Sequence, residues 1–158
     1  MIDFMVLGLP RSGTAWMANY LTTDNTLCLH ESFMDFSLEQ LDQLQTGARL
    51  GIAETAGMFI ADEINQHPAR KIIIERPLED VNQSLQAINL PCMTEYHVEL
   101  LNKIDGFRVK FNELFNPEMM SYICREIVGI KFNIHRFVLL EKMNVQDQYA
   151  IRKVKAML

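Results

Sequence analysis

The sequence predicts an α/β domain of three layers, with helices on both faces of a mainly five-stranded parallel sheet. Three observations point there. Short apolar runs, of which Phe4-Met5-Val6-Leu7 and Lys71-Ile72-Ile73-Ile74-Glu75 are the clearest, have the length and composition of strands. Longer amphipathic stretches separate them, as crossovers between parallel strands require. No internal repeat, low-complexity tract or long linker divides residues 1–158, so a single domain is expected.

In chain order, the first strand is Phe4–Leu7, and helical spacing runs from Thr14 to Leu21. A second strand, Thr26–His30, leads to helical spacing between Phe33 and Leu44, where Phe33, Phe36, Leu41 and Leu44 are apolar. Leu50–Ala53 is a weaker third strand and Met58–Gln66 a helix. The fourth strand, Lys71–Glu75, is β-branched and charged at both ends; Asp80–Ile88 follows as helix. Pro91 suits the first turn of a helix running to about Ile104. Asp105-Gly106 marks a turn before a fifth strand, Phe107–Phe111. Pro117–Val128 is helical, and Gly129 closes it. Residues 144–158 are polar and basic and are expected as a peripheral surface helix.

Composition narrows the function classes. The chain has 158 residues, and a domain near that size buries roughly 68–70% of its unfolded surface. A hydrophobic share of 49% with 22% charged residues is that of a globular protein. The net charge of −5 argues against nucleic-acid binding, which needs a basic surface. It leaves room for a small anion held by local dipoles and one or two arginines. Cys28, Cys92 and Cys124 form no CxxC pair, so neither a disulfide framework nor a zinc site is expected. They read as buried reduced thiols, which fits a cytoplasmic protein. His67, His97 and His135 have no metal-ligand spacing, and no metal is expected. No apolar run approaches the roughly 18 residues of a membrane helix. The N-terminus, with Asp3 and no basic region, reads as a strand rather than a signal peptide.

The segment Leu9-Pro10-Arg11-Ser12-Gly13-Thr14-Ala15-Trp16 follows a strand and opens a helix. Free N–H groups at a helix start, together with the helix dipole, favour an anion there. Gly8 and Gly13 are spaced as in the phosphate loop of nucleoside triphosphatases, but Thr14 stands where that motif has Lys. The cation sits inside the loop instead, at Arg11. This arrangement resembles the P-loop sulfotransferases, whose donor loop commonly reads Pro-Lys-Ser-Gly-Thr-Thr-Trp, with Arg for Lys in some branches. Pro10, Ser12, Gly13, Thr14 and Trp16 match, Arg11 is the arginine form, and Ala15 replaces the second threonine. The resemblance implies a P-loop NTPase-like fold and the sulfonate donor PAPS (3′-phosphoadenosine 5′-phosphosulfate), with PAP as the product. It implies that Pro10, Arg11, Ser12, Gly13, Thr14, Ala15 and Trp16 hold the 5′-phosphosulfate, with Arg11 stabilising the departing charge. Trp16 also reads as a packing residue.

A second segment, Arg76-Pro77-Leu78-Glu79-Asp80-Val81-Asn82-Gln83-Ser84, follows the fourth strand. Arg offers a planar fork to phosphate; its alternative is a surface ion pair with Glu79 or Asp80. The family carries Arg-Asn-Pro-x-Asp-Val there, with Ser eight residues after the Arg. Arg76 and Ser84 keep that spacing, which implies a grip on the donor's 3′-phosphate; Pro77 comes one position early and the Asn is absent.

Sulfonate transfer to a hydroxyl needs a base. Glu31, 20 residues after Arg11, resembles the Glu-using branches of the family, with His30 beside it and Glu54 in reserve. Neighbouring strand residues point to opposite faces, so only one of His30 and Glu31 is expected in the cleft. Phe111 stands where the family has a Tyr and implies contact with the adenine. The family's final basic Gly-rich loop is absent; Arg152, Lys153 and Lys155 read as a solvated helix face. The resemblance spans about Phe4 to Phe132. The acceptor stays open between a small molecule, a carbohydrate and a protein side chain; no membrane partner is expected, and a homo-oligomer is allowed. A P-loop nucleotide or small-molecule kinase, and a non-catalytic PAP- or PAPS-binding module, are the alternatives.

Overall fold

The computed structural model describes residues 1–143, 145 and 148–157. Five strands form one parallel sheet in the order β2-β3-β1-β4-β5. The strands are β1 (Ile2–Gly8), β2 (Thr26–His30), β3 (Arg49–Glu54), β4 (Arg70–Glu75) and β5 (Phe107–Lys110). Helices α1 (Thr14–Leu21), α2 (Leu38–Asp42), α3 (Ala61–Gln66) and α4 (Leu78–Gln86) occupy the first half of the chain. Helices α5 (Glu95–Asn102), α6 (Pro117–Tyr122), α7 (Ile134–Glu141) and α8 (Gln148–Met157) occupy the second. The expected three-layer α/β architecture is therefore the observed one.

The central position of β1 follows from its side chains. A strand covered on both faces needs apolar residues at every position, and Phe4, Met5, Val6 and Leu7 are all fully buried. Their alternation feeds two cores. Phe4 and Val6 join Ile72, Ile74 and Val109 under α1, α6 and α7, where Trp16, Met17, Tyr20 and Phe137 pack. Met5 and Leu7 join Ile52 and Ile73 on the other face, with Ile64, Val81, Leu85 and Leu101 of α3, α4 and α5. Gly51, opposite Phe4 in the register, is a space filled from across the sheet: a Cβ there would overlap the Phe4 ring.

Sheet order places a switch point at β1. The chain leaves it for β2 on one side and reaches β4 on the other after β3. Ligands of open α/β sheets bind outside the carboxyl ends of the strands at such a point.

Several elements differ from their sequence expectation. The stretch Phe33–Leu44 is a short 3₁₀ turn, Ser32–Met34, and a separate α2, because Ser37 caps α2 by accepting from Gln40 N at 3.2 Å. Likewise a 3₁₀ turn, Ala56–Ile60, precedes α3. Pro91 begins no helix. Asn82 holds the irregular segment before α5 through Met93, accepting from its N–H at 2.7 Å and donating to its carbonyl at 3.0 Å, so α5 starts only at Glu95. Strand β5 stops at Lys110, and Phe111 opens a 3₁₀ turn. Helix α6 continues as a π-helical segment, Ile123–Val128, and Gly129 closes it at φ 76°, as expected of a left-handed cap. Cys28 and Cys124 are buried thiols, but Cys92 is exposed, since it lies in the non-helical segment that Asn82 holds at the surface. No helix among the described residues is long and apolar enough to cross a membrane.

Candidate functional site

The loop between β1 and α1 is shaped by two left-handed residues, Arg11 at φ 68° and Gly13 at φ 90°. Arg11 in that region carries a backbone cost that glycine avoids. Ser12 N donates to Leu9 O at 3.1 Å, which folds the loop back over the end of β1. Gly13 also lies against side chains from the β5 end: a Cβ there would sit 3.2 Å from both Leu114 and Phe111. The first hydrogen bond that returns to this start is from Met17 N to Gly13 O, at 2.9 Å. The earlier N–H groups of α1 have no intrahelical acceptor. Ser12 Oγ is fully buried and has no hydrogen-bond partner among the described residues.

Two guanidinium groups meet beside this loop. Arg11 Nε donates to Ser84 Oγ at 3.0 Å, which joins the end of β1 to α4. Arg76, just beyond β4, donates from Nη1 to the Arg11 carbonyl. Its guanidinium carbon stands 4.3 Å from the centroid of the Phe111 ring, a cation–π contact across the β4–β5 boundary. Burial, and then the neighbouring Arg76 charge, lower the pKa of Arg11 from its ordinary value. Arg76 Nε is buried without a partner among the described residues. Arg76 is thus a group of the cleft; the hydrogen bond to Arg11 and the stacking on Phe111 take the place of the surface ion pair weighed above.

The other half of the cleft carries a carboxylate and an imidazole. His30 Nε2 lies 3.1 Å from Thr14 Oγ1 and 3.6 Å from Glu31 Oε1. Thr55 Oγ1 donates to Glu31 Oε2 at 3.1 Å. Both His30 and Glu31 line the cavity, contrary to the alternation rule. The rule fails because β2 ends at His30 and Glu31 takes a left-handed φ of 52°, which turns its side chain back to the same side. Glu54, the reserve base, is not among the lining residues. It is fully buried, accepts from Ser32 N at 2.6 Å and from Phe33 N at 3.3 Å, and also accepts from Ser32 Oγ. Burial pushes its carboxyl pKa up to about 8, against those hydrogen bonds. Its position beneath the turn fits a support for the segment after Glu31.

These groups surround a cavity of about 450 Å³ at the carboxyl edge of the sheet. In sheet order its rim runs from Glu31 after β2, past Thr55 after β3 and Arg11 after β1, to Arg76 after β4 and Phe111 after β5. Pro10, Gly13, Thr14, Ala15 and Trp16 also line it. Trp16 is chiefly a packing residue, stacked on Tyr20 with ring centroids 5.5 Å apart and edge-on to Phe115 and Phe137. Ser12 and Ser84 are not lining residues; Ser12 lies buried beneath the loop and Ser84 holds Arg11.

Among the remaining histidines, His67 lies 2.9 Å from Asp42 and His97 caps α5 through Thr94 N at 3.1 Å. His135 lines a separate cleft at the opposite edge of the sheet, with Arg49 and Lys131.

The sequence reading missed part of the wall. Ile151 and Val154 of α8 line the cavity, so α8 is no merely peripheral helix. Lys153 donates to Met34 O at 3.1 Å and pairs with Asp35 at 2.5 Å, so it is not simply solvated. Their i, i+3 spacing puts Ile151 and Val154 on one helix face, which was the available signal.

No family model matches the sequence, and no curated protein matches it. In three dimensions the chain is similar to a solved structure, mouse sulfotransferase SULT7A1 complexed with PAP, with a TM-score of 0.53. The fold is similar to that of this sulfotransferase. The likeness covers 88% of this chain at 15% sequence identity. This chain spans 62% of the length of that neighbour.

Proposed function

We propose that the chain is a PAPS-dependent sulfotransferase, transferring a sulfonate group to a hydroxyl or amine acceptor. The meeting of Arg11, Arg76 and Ser84 beside the start of α1 carries this reading. Two like charges this close disfavour each other, and a ligand with phosphates would relieve them. Buried Arg76 Nε, without a partner among the described residues and on a residue that lines the cavity, fits a ligand rich in acceptor oxygens. The fold of a neighbour crystallised with PAP supports the same ligand class here.

When bound, PAPS supplies a sulfonate attached to a phosphate leaving group. Arg11 and the first amides of α1 stabilise the negative charge that collects on that phosphate, as preorganised donors do. Arg76 presents its planar fork to the second phosphate, and Ser84 steadies Arg11. Phe111 covers the cleft on the adenine side. Glu31, held by Thr55, accepts the proton of the acceptor group, and His30 spans Thr14 and Glu31. The acceptor oxygen or nitrogen forms one bond to sulfur as one sulfur–oxygen bond breaks, and PAP leaves.

Calorimetry with PAP, ADP and ATP–Mg²⁺ tests this. PAP should bind most tightly. A charged hydrogen bond contributes roughly 1.5–3 kcal/mol, so Arg76→Ala should weaken PAP about ten- to a hundredfold and leave ADP little changed. Equal affinity for PAP and ADP would remove the role of Arg76. A preference for ATP–Mg²⁺ would favour a kinase. PAP binding without transfer to any acceptor in a broad screen would leave a binding module.

A further inference from the structure

The cleft at the amino edge of the sheet has a chemistry of its own. Its volume is about 650 Å³, within the range of small-molecule sites. The starts of β2 and β3, at Thr26 and Arg49, meet the segment from Gly129 to the first turn of α7 there. The polar groups of that segment are mainly donors. Arg49 donates from Nη1 to Gly129 O at 3.0 Å and keeps its Nε 3.7 Å from Asp3. Lys131 and His135 are exposed and pair with no carboxylate among the described residues. Asn133 Oδ1 caps Arg136 N at 3.0 Å, whereas the amides of Ile134 and His135, ahead of it, have no acceptor within the helix. The dipole of α7 adds positive potential at that end. Asp24 is the one carboxylate among the lining residues.

A buried hydroxyl points the same way. Thr26 is 1% exposed, lines the cleft, and has no hydrogen-bond partner for Oγ1 among the described residues. It shares a face of β2 with Cys28, whose core also receives Ile130 and Phe132, so its side chain is directed toward the segment that carries Lys131. A smaller cavity continues the cleft past Lys131 and Asn133 to Arg136, whose buried Nε is likewise unpartnered among the described residues. Buried polar atoms without partners are rare in folded proteins and call for a ligand, an ion or water. We infer that this cleft is a second ligand site, for a small phosphate monoester whose apolar body lies on Ile130 and Phe132. Lys131, His135, Arg136 and the first amides of α7 outweigh Asp24 and favour a doubly charged group. The volume leaves room for an organic body beyond the phosphate itself. This site stands apart from the donor assignment above, which concerns the other edge of the sheet.

Amide chemical shifts of the isotope-labelled full chain, titrated with phenyl phosphate, inorganic phosphate and phenol, test the inference. Phenyl phosphate should move the amides of Arg49, Lys131 and His135 along one binding curve. Inorganic phosphate should bind there about tenfold more weakly, for want of an apolar body, and phenol should leave those amides unmoved. The amides of Gly13 and Thr14 report the other cleft separately, so a ligand entering the loop after β1 is not mistaken for one bound here. The paired variant Lys131→Gln and His135→Gln, with both side chains exposed, should weaken phenyl phosphate about tenfold. Thr26→Val keeps the shape of the side chain and should weaken it severalfold. Neither variant should alter the response at Gly13. Phenyl phosphate shifts confined to Gly13 and Thr14 would overturn the inference. So would phenol binding as tightly as phenyl phosphate, or an affinity unchanged in either variant.

Discussion

Replacing Glu54 by Gln should change how the stability of this protein depends on pH. The Glu54 carboxyl is fully buried at the end of β3, and burial raises its pKa from 4.5 to about 8. Below pH 4.5 the folded and unfolded chains both hold this proton, so the group adds no pH dependence. Between 4.5 and about 8 the folded chain keeps the proton that the unfolded chain has lost. Folding is then linked to proton uptake, and stability falls as pH rises. One pKa unit corresponds to about 1.4 kcal/mol. The full window therefore corresponds to a loss on the order of 3–5 kcal/mol, a large share of the roughly 5–15 kcal/mol that holds a typical domain folded. Gln keeps the shape and stays neutral throughout. Urea unfolding followed by circular dichroism across this window should show the wild type losing stability relative to Glu54→Gln, with the gap widest near pH 8. The other titrating groups are common to both proteins and cancel in the difference. Parallel pH profiles for the two proteins would refute the argument that burial dominates the three hydrogen-bond donors around this carboxyl.

Two further predictions address the fold and the chemistry. Gly51→Ala places a methyl group against the buried Phe4 ring and should cost about 1–3 kcal/mol, the range for overpacking; thermal melting should show a drop of several degrees, and adding Phe4→Leu should recover part of it. An unchanged melting temperature would mean that the two strands separate more easily than their register implies. Glu31→Gln should lower turnover by about 10²–10⁴-fold while leaving PAP affinity close to the wild-type value. Full turnover in that variant would shift the base to His30.

The site and the fold were legible in the sequence to different degrees. Buried strands announce themselves through uninterrupted apolar runs, so β1 and β4 were found within two residues of their ends. Helix boundaries were less legible where a distant side chain decides them. Asn82 keeps the segment at Pro91 out of helix, and that contact spans a turn of the chain that no local pattern reports. His30 and Glu31 at the end of β2 show the same limit. The alternation rule holds inside a strand, and one left-handed residue at its end is enough to bring both His30 and Glu31 to the cleft.

By itself the sequence determined the five strands in their order along the chain and most of the helices, because those depend on residue type and short spacing; α7 was not expected from it. It also placed Arg11 and Arg76 after strands, which in a parallel sheet sends both to one edge. Only the tertiary structure decided that Arg11 leans on Ser84, that Glu54 sits beneath the turn instead of in the cleft, and that α8 supplies a wall. Those facts depend on contacts between segments 73, 22 and 119 positions apart. At such separations, packing and burial fix the partner of each side chain, and neither leaves a local signature.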